Sequence, residues 1–342
     1  MRGIRGPVIA ILVGFVAVAL LGFLTAYNDH ETTSIAAAIS LAKQTCEHCY
    51  NAVRKVYFAV LVPQQILSWH FYTLVGVLLS LEWAQPVYTR SRTFSVSLLH
   101  DFIWFLLDAL FVGILMPIYH RFLFGVHRSY FSFWQGDMIN TWPLAGHILV
   151  AVLVADLIRW FHHFLRHKVV LFWYFHSVHH SQRDMNLFTD LRVHPVERLI
   201  EAGVSFVPFL TLRTDVALAS FVGWYIFGSW YARFYHSNIK TNLGILRYIL
   251  VTPQSHRIHH SRKKEHQDKN FGAIFSIWDY LFGTQYRKYD EYPETGIDDT
   301  NFPHETEFAP HRTIRILFSQ LVYPFELAFK SATRMVAHKQ AA

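Results

Sequence analysis

The histidines of this chain recur at spacings that bring several imidazole rings to one place. His163 and His167 are four residues apart, so they share one face of a helix. His176 begins an H-x-x-H-H sequence, and the same sequence returns at His256. Buried imidazoles need partners, so packing alone does not explain this pattern. The predicted metal ligands in these three groups are His163, His167, His176, His179, His180, His256, His259 and His260.

These eight histidines are too many for one metal ion, because a mononuclear site usually takes about three protein ligands. We therefore expect two ions. Ligands that are all imidazoles favour iron and dioxygen chemistry, with the protein supplying orientation and a dry channel. His194, in RVHPVE, and His236, in FYHSN, are two further candidate ligands. Asp156, Asp268 and Asn270 are expected to orient the free N–H groups of the ligands.

Long apolar runs and few charges predict an integral membrane protein. Of the 342 residues, 52% are hydrophobic and 16% are charged, whereas a soluble domain carries about 25% charged residues. Spans are expected near 7–27 and 56–82, then at 96–118 and 143–159. Arginines before the first span favour a cytoplasmic N-terminus, so four spans return the chain to the cytoplasm at His163.

The remaining segments leave some alternatives open. Residues 7–27 could instead be a cleaved signal peptide. The C-x-x-C of Cys46 and Cys49 is compatible with a redox dithiol or a local disulfide. In the third span, Asp101 and Asp108 share one face; buried carboxylates in a span are usually functional or paired, and Asp101, near one end, could instead be interfacial. Residues 313–330 carry an apolar face and predict an interfacial helix that Pro324 breaks or kinks.

The net charge of +7 fits cytoplasmic loops beside anionic lipid. It does not indicate nucleic acid binding, because the sequence has no block rich in Lys and Arg and no platform of aromatic and basic residues. The expected location is a multi-pass position in a bacterial inner membrane, or in the endoplasmic reticulum of a eukaryote. The active site is expected on the cytoplasmic side.

Five separated motifs follow one another between about residues 145 and 285. They are Asp156…His163-x-x-x-His167, His176-Ser-Val-His-His-Ser181, Asn186…Arg192-x-His194-Pro-x-Glu197, Phe234-x-His236-x-Asn238, and Pro253-x-x-His256-x-x-His259-His260 followed by 268–272 and 278–284. In this order they resemble the fatty acid hydroxylase/sterol desaturase superfamily, the membrane-bound histidine-box proteins with two iron ions. Phe161 and Phe164 depart from the family pattern, at positions outside the ligands.

The resemblance implies a non-haem di-iron oxidoreductase that uses O2 as co-substrate and hydroxylates a C–H bond of a fatty acyl, sterol or other lipid substrate. Desaturation at the same site is the alternative. The electron donor would be a separate protein of the cytochrome b5 or ferredoxin type, and a pterin reductant is also open. A zinc-dependent membrane hydrolase is a weaker alternative, because the chain has no H-E-x-x-H sequence.

The predicted fold is all-α, a multi-spanning transmembrane helical bundle with a cytoplasmic histidine-rich di-metal cap. Residues 1–95 are assigned to an N-terminal transmembrane region. Residues 96–285 are assigned to a fatty acid hydroxylase-like catalytic domain. Residues 286–342 are assigned to a polar loop and an interfacial helix.

Overall fold

The described part of the chain is helical. The computed structural model describes residues 69–88, 95–126, 129, 144–205, 228–305 and 310–341. Its α-helices are α1 (Trp69–Ala84), α2 (Val96–Val126), α3 (Leu144–Lys168), α4 (Val170–His180), α5 (Pro195–Ser205), α6 (Ser229–His236), α7 (Pro253–His259), α8 (Ile277–Leu281) and α9 (Pro310–Ala341). Short 3-10 turns cover Thr189–Leu191, Gly244–Tyr248 and Lys264–His266. Within these ranges β-structure is limited to isolated bridges, so the predicted all-α class is confirmed.

The predicted spans coincide only partly with these helices. The span near 7–27 and the C-x-x-C sequence lie outside the described residues. Across the described ranges, every helix falls short of the combined length and apolar character that crossing a bilayer requires. The multi-spanning arrangement therefore stays a prediction.

The helices that carry the histidines begin and end at recognisable signals. Thr252 caps α7, since its hydroxyl accepts from the Ser255 N–H while the Ser255 hydroxyl accepts from the Thr252 N–H. Pro253 occupies the first helical position, where a missing N–H has no consequence. Helix α4 follows α3 after Val169 alone, so the first two histidine groups lie on consecutive helices.

Aromatic packing fixes α1 and α2 against the rest of the fold. Phe71 of α1 stacks on Phe105 of α2 with ring centroids 5.6 Å apart, and Phe105 stacks on Phe188 at 5.7 Å. Trp230 of α6 contacts Phe71 from another side at 5.9 Å. Burial of such aromatic rings is a main source of stability, so this cluster positions α6 and its terminal His236.

Helix α9 packs against α2 and α4 with one face. Trp104 of α2 donates its indole N–H to Gln320 of α9 at 3.0 Å, and Leu317 joins Trp104 in a second apolar cluster. The opposite face exposes large side chains such as Phe318 and Phe329. Pro324 is buried inside α9 without ending it, so of the predicted break or kink the break does not occur. The proline removes one backbone hydrogen bond, and the nearby Leu321, Tyr323 and Leu327 pack into the second apolar cluster.

A buried ion network ties α2 to the segment that follows α4. The Arg192 guanidinium donates from Nε to Asp101 Oδ1 and from Nη2 to Glu305 Oε1, both at 2.6 Å. Asp101 also accepts from the side chains of Asn186 and Thr189 at 2.8 Å. Of the two alternatives for Asp101, the structure supports pairing, because the side chain is fully buried and bonded to an arginine that is distant in sequence.

Candidate metal centre

Nine histidine side chains converge on two adjacent groups. In each group, one ring nitrogen of every member lies within 4.8 Å of the corresponding atoms of the others. The five-histidine group combines side chains from α3, α4 and α7, and it consists of His163, His167, His176, His180 and His259. The four-histidine group combines α4, α6 and the end of α7, and it consists of His179, His236, His256 and His260.

The two H-x-x-H-H sequences serve the two groups in complementary ways. In the first, the outer pair His176 and His180 belongs to the five-histidine group, while His179 belongs to the other group. In the second, the outer pair His256 and His260 belongs to the four-histidine group, while His259 belongs to the five-histidine group. Residues four apart share a helix face and their neighbour points elsewhere, so one short motif supplies both groups.

The two groups touch each other along the ends of α4 and α7. The His180 and His260 rings are stacked with centroids 4.2 Å apart. The ring centroids of His176 and His179 are 5.3 Å apart, as are those of His256 and His259, and each of these pairs joins one group to the other. The groups are therefore neighbouring parts of one centre, as a pair of metal ions acting together would require.

Hydrogen bonds to oxygen fix the tautomer of four rings. The Nδ1–H of His163 donates to the Phe271 carbonyl at 3.0 Å, and that of His259 donates to the Lys269 carbonyl at 2.8 Å. The Nδ1–H of His236 donates to the Ala232 carbonyl at 2.7 Å. His176 makes the equivalent bond to a carboxylate, as described below. Because a carbonyl only accepts, Nε2 of each such ring carries the lone pair.

The Nε2 lone pairs point into the interior of each group. Nε2 of His163, His167 and His259 is buried and has no hydrogen-bond partner among the described residues. In the four-histidine group, Nε2 of His236 lies 2.8 Å from Nε2 of His256 and 3.1 Å from that of His179. His236 carries its proton on Nδ1, so its Nε2 cannot donate a hydrogen bond to His256 or His179. The three Nε2 atoms point instead at one shared position.

Burial keeps the rings of both groups neutral. It lowers the pKa of His236 to about 3 and that of His259 to about 4, and it lowers the pKa of the other seven well below the usual value. Neutral imidazole is the form that binds a metal. Converging lone pairs with few protons between them fit cations, and imidazole suits iron, zinc and copper. The residues present therefore fit two metal ions.

His194, the tenth predicted ligand, lies outside both groups. Its Nε2–H donates to the Leu321 carbonyl of α9 at 3.0 Å, and its Nδ1 accepts from the Val196 N–H at 3.1 Å. Both ring nitrogens are thus engaged away from the converging lone pairs. The structure gives His194 a different position, in which it joins the start of α5 to α9.

Among the described residues, Asp156 makes hydrogen bonds to groups other than histidine, although its position on α3 predicts that it orients one. Its carboxylate accepts from the backbone N–H groups of Ile274 at 3.0 Å and Phe275 at 3.1 Å, and from the Trp278 indole at 2.9 Å. It therefore holds the loop after α7 against α3. Its contribution to the centre is indirect, because this loop carries the carbonyl that orients His163.

Asp268 and Asn270 likewise act on the loop rather than on a ring. Asp268 is about half exposed and pairs with Lys168 of α3. The Asn270 amide donates to the Ser255 carbonyl at 2.9 Å and accepts from the Tyr286 N–H at 2.8 Å. Both residues have φ of 59°, in the left-handed region that Asp and Asn tolerate well. This conformation turns the Lys269 carbonyl towards His259.

Two carboxylates that support the centre were not identified from the sequence. Glu197 Oε1 accepts from the Nδ1–H of His176 and from Arg166, each at 2.8 Å, and burial raises its pKa to about 7. Asp279 accepts from the backbone N–H groups of Phe271 and Gly272 at 2.8 Å and thereby fixes the carbonyl that orients His163. Glu197 is the last residue of the motif R-V-H-P-V-E, and this motif was the sequence feature that could have indicated its role.

A cavity of about 200 Å³ opens onto both histidine groups. His163 and His176 of one group and His179, His236 and His256 of the other line it. The other lining side chains include seven charged residues, namely Asp108, Arg159, Arg166, Asp190, Glu197, Arg198 and Glu201. The space beside the centre is therefore rich in hydrogen-bond donors and acceptors.

Comparison with known proteins places this centre inside one family segment. The fatty acid hydroxylase family model matches residues 148–284, which contain all nine clustered histidines. Alkylglycerol monooxygenase of Homo sapiens is 29% identical over 181 residues, 52% of this chain and 40% of the relative. Alkylglycerol monooxygenase of Danio rerio is 35% identical over 144 residues, 42% of this chain and 31% of the relative.

A third relative has a different substrate in its name. Ornithine lipid hydroxylase OlsE of Rhizobium tropici is 28% identical over 157 residues, 46% of each chain. This chain thus covers less than half the length of each of these three relatives. No solved structure matches it.

Proposed function

Residues 148–284 form a domain of the fatty acid hydroxylase/sterol desaturase superfamily, and from this premise we propose that the chain is a membrane-bound, di-iron, O2-dependent lipid hydroxylase. The observation that carries the proposal is the pair of adjacent groups of buried, neutral histidines. Two ions at neighbouring positions, held by imidazole alone, suit iron and dioxygen better than the hydrolytic chemistry of zinc. Neither group contains a carboxylate that could act as a general base in hydrolysis.

The proposed ligands are the nine clustered histidines, with the five-histidine group holding one ion and the four-histidine group the other. When bound, the iron pair supplies the oxidising power that breaks an unactivated C–H bond, which no side chain supplies. The chain holds its imidazoles neutral and presents Nε2 towards each ion. Glu197 and the carbonyls of Lys269 and Phe271 set the ring orientations through Nδ1.

The reaction needs a lipid and a source of electrons. Relatives named for alkylglycerols and for ornithine lipids support a lipid substrate for this chain. Hydroxylation of one C–H bond consumes one O2, two electrons and two protons, and it yields the alcohol and one water. We propose that a separate cytochrome b5-type or ferredoxin-type protein supplies the electrons.

We also propose that the chain is embedded in a membrane with the centre on the cytoplasmic side. Exposed large apolar side chains support this position, among them Trp69 on α1, Ile118 and Phe122 on α2, and Leu149 on α3. Apolar patches of this kind mark surfaces that contact lipid or protein. Retention in the membrane fraction after alkaline extraction tests the proposal, and release into the supernatant would contradict it.

The decisive experiment combines metal analysis with oxygen uptake and lipid mass spectrometry. We expect two irons per chain, lipid-dependent oxygen consumption, and a product that gains one oxygen atom. All three should be reduced in His179→Ala. A product that instead loses two hydrogen atoms would assign desaturation, and full activity with zinc and without oxygen uptake would refute the proposal.

A further inference from the structure

The charged lining of the cavity is unsuited to a hydrocarbon chain. Arg198 pairs with Asp108 from Nε and with Glu201 from Nη1, each at 2.9 Å, and Arg166 pairs with Glu197 at 2.8 Å. These paired side chains present cationic donors and anionic acceptors around one space. A hydrocarbon placed there would remove water from them without replacing its hydrogen bonds, which is unfavourable.

A second pocket, of about 340 Å³, lies next to this cavity and has the opposite character. It lies between α2, the start of α5 and α9, and its apolar lining includes Trp104, Leu107, Leu110, Leu115, Pro195 and Leu321. Asp108 is the single charged residue that lines it among the described residues. Asp108 and Val193 line both spaces, so the apolar pocket adjoins the charged cavity.

The two spaces together fit an amphiphile in one orientation. We infer that the substrate places a polar head group, with hydrogen-bond donors and acceptors, in the charged cavity and its hydrocarbon chain in the apolar pocket. The metal ligands line the charged cavity and are absent from the lining of the apolar pocket. The oxidised carbon therefore belongs to the head group or directly adjoins it.

This inference rests on the proposed lipid hydroxylase function and narrows its substrate class. The opposite orientation would bring the far end of a hydrocarbon chain to the centre, past Arg166, Arg198 and their carboxylate partners. The charged cavity, of about 200 Å³, is smaller than most small-molecule sites, which span about 300–1,000 Å³, and the apolar pocket, of about 340 Å³, lies at the lower end of that range. A single-chain amphiphile suits this space better than a bulky ring system.

Photolabelling tests the orientation without requiring turnover. The probe is 1-O-hexadecylglycerol with a diazirine on the last chain carbon, added to the full-length, metal-depleted protein in detergent. Mass spectrometry of the labelled peptides should find the label on residues of the apolar pocket, on α2 or α9. Labelling of Ala232 or Tyr235, which line the charged cavity, would overturn the inference.

Two matched variants test whether the chain occupies the pocket. Leu110 lines the apolar pocket, while Leu149 on α3 does not, and the two side chains are 60% and 59% exposed. Leu110→Trp should reduce labelling about tenfold, which is roughly the effect of excluding two methylene groups. Leu149→Trp should leave it unchanged. Equal labelling of both variants would contradict the inference. Because both positions are exposed, neither tryptophan has to be accommodated inside the fold.

Head-group dependence and the site of oxidation complete the test. Unlabelled hexadecane, which has no head group, should compete at least about tenfold less well than 1-O-hexadecylglycerol, a difference that one or two hydrogen bonds would produce. Equal competition would overturn the inference. In the iron-loaded protein, oxygen should enter the glycerol or the first chain carbon, and oxygen at mid-chain would also overturn it. Specific labelling without any oxidised product would count against the proposed function alone.

Discussion

Two buried polar clusters meet at α4, and their polar groups are satisfied in opposite ways. In the network around Arg192, the guanidinium lies between the carboxylates of Asp101 and Glu305, and each charge has an opposite charge within 2.6 Å. In the histidine centre, nine neutral bases converge, and buried lone pairs such as Nε2 of His167 lack a hydrogen-bond partner among the described residues.

This difference separates a structural cluster from a binding site. Buried polar groups are almost always hydrogen-bonded, so those without partners need an explanation. The Arg192 network is complete within the protein, and its role is to hold α2 and the segment after α4 together. The histidine centre is completed by something added, and its composition indicates cations. Changes in the first cluster should therefore alter stability, and changes in the second should alter metal content.

The largest expected effect is that of removing a metal ligand. His259→Ala deletes one member of the five-histidine group, so we expect about one metal per chain in place of two, and no detectable hydroxylation. Elemental analysis and product analysis measure the two effects. His162→Gln is the control, because His162 precedes His163 on α3 but lies outside both groups. Unchanged metal content in His259→Ala would contradict the view that the histidine centre binds metal while the Arg192 network is structural.

The next effect is on stability. Arg192→Met leaves two buried carboxylates without their cation, and breaking a buried pair in this way costs about 3–5 kcal/mol of the free energy of unfolding. Arg262→Met is the matched control, since Arg262 pairs with Asp298 at the surface and such pairs contribute at most about 1 kcal/mol. Denaturant titration of the metal-loaded proteins compares them. Equal losses in the two variants would show that the Arg192 network is not structurally special.

The pH dependence of stability should separate the clusters further. Burial alone would raise the pKa of Glu305, but Arg192 outweighs it and lowers that pKa from 4.5 to about 2. The stabilisation from ionised Glu305 is thus fully present above pH 4.5 and is lost as the pH falls towards 2. It amounts to about 3 kcal/mol. The centre behaves differently, because the metal-free protein should already lose stability below the ordinary histidine pKa of 6.5, as the unfolded chain takes up protons.

Acid titrations of metal-free wild type and Glu305→Gln measure these two ranges. The variant should lose the share of Glu305 in the dependence between pH 4.5 and 2, to which other carboxylates such as Glu201 also contribute, and should keep the dependence that begins near 6.5. Identical curves for the two proteins would show that Glu305 does not carry the lower range.

Local spacing sufficed to predict which histidines come together, but not how they are held. The i, i+4 pairs and the repeated H-x-x-H-H are properties of single helices, and the structure brings nine of the ten candidates into two groups. His194 differs because its ring bonds to Leu321, 127 residues away, which no local pattern reveals. The partner of Asp101 could not be identified for the same reason, since Arg192 is 91 residues away.

The helices, too, could be located from the sequence, but their ends could not. Hydropathy located α2, but the helix continues to Val126, past His120 and Arg121 where the apolar run ends. Charged residues end an apolar segment without ending a helix, because they form helices well. The continuation of α9 through Pro324 depends on tertiary packing, which overrides the local preference of proline.

The smallest expected effect concerns Glu197, which belongs to neither cluster and supports the centre from outside. Glu197→Ala removes the acceptor that fixes the Nδ1–H of His176, so the ring loses its orientation while every ligand remains. Partners of this kind typically change metal affinity about 10–100-fold. Competition with a chelator should show this loss for one of the two metals only. Glu197→Gln keeps an acceptor oxygen and should recover most of the affinity, whereas a merely structural role for Glu197 would weaken both metals equally.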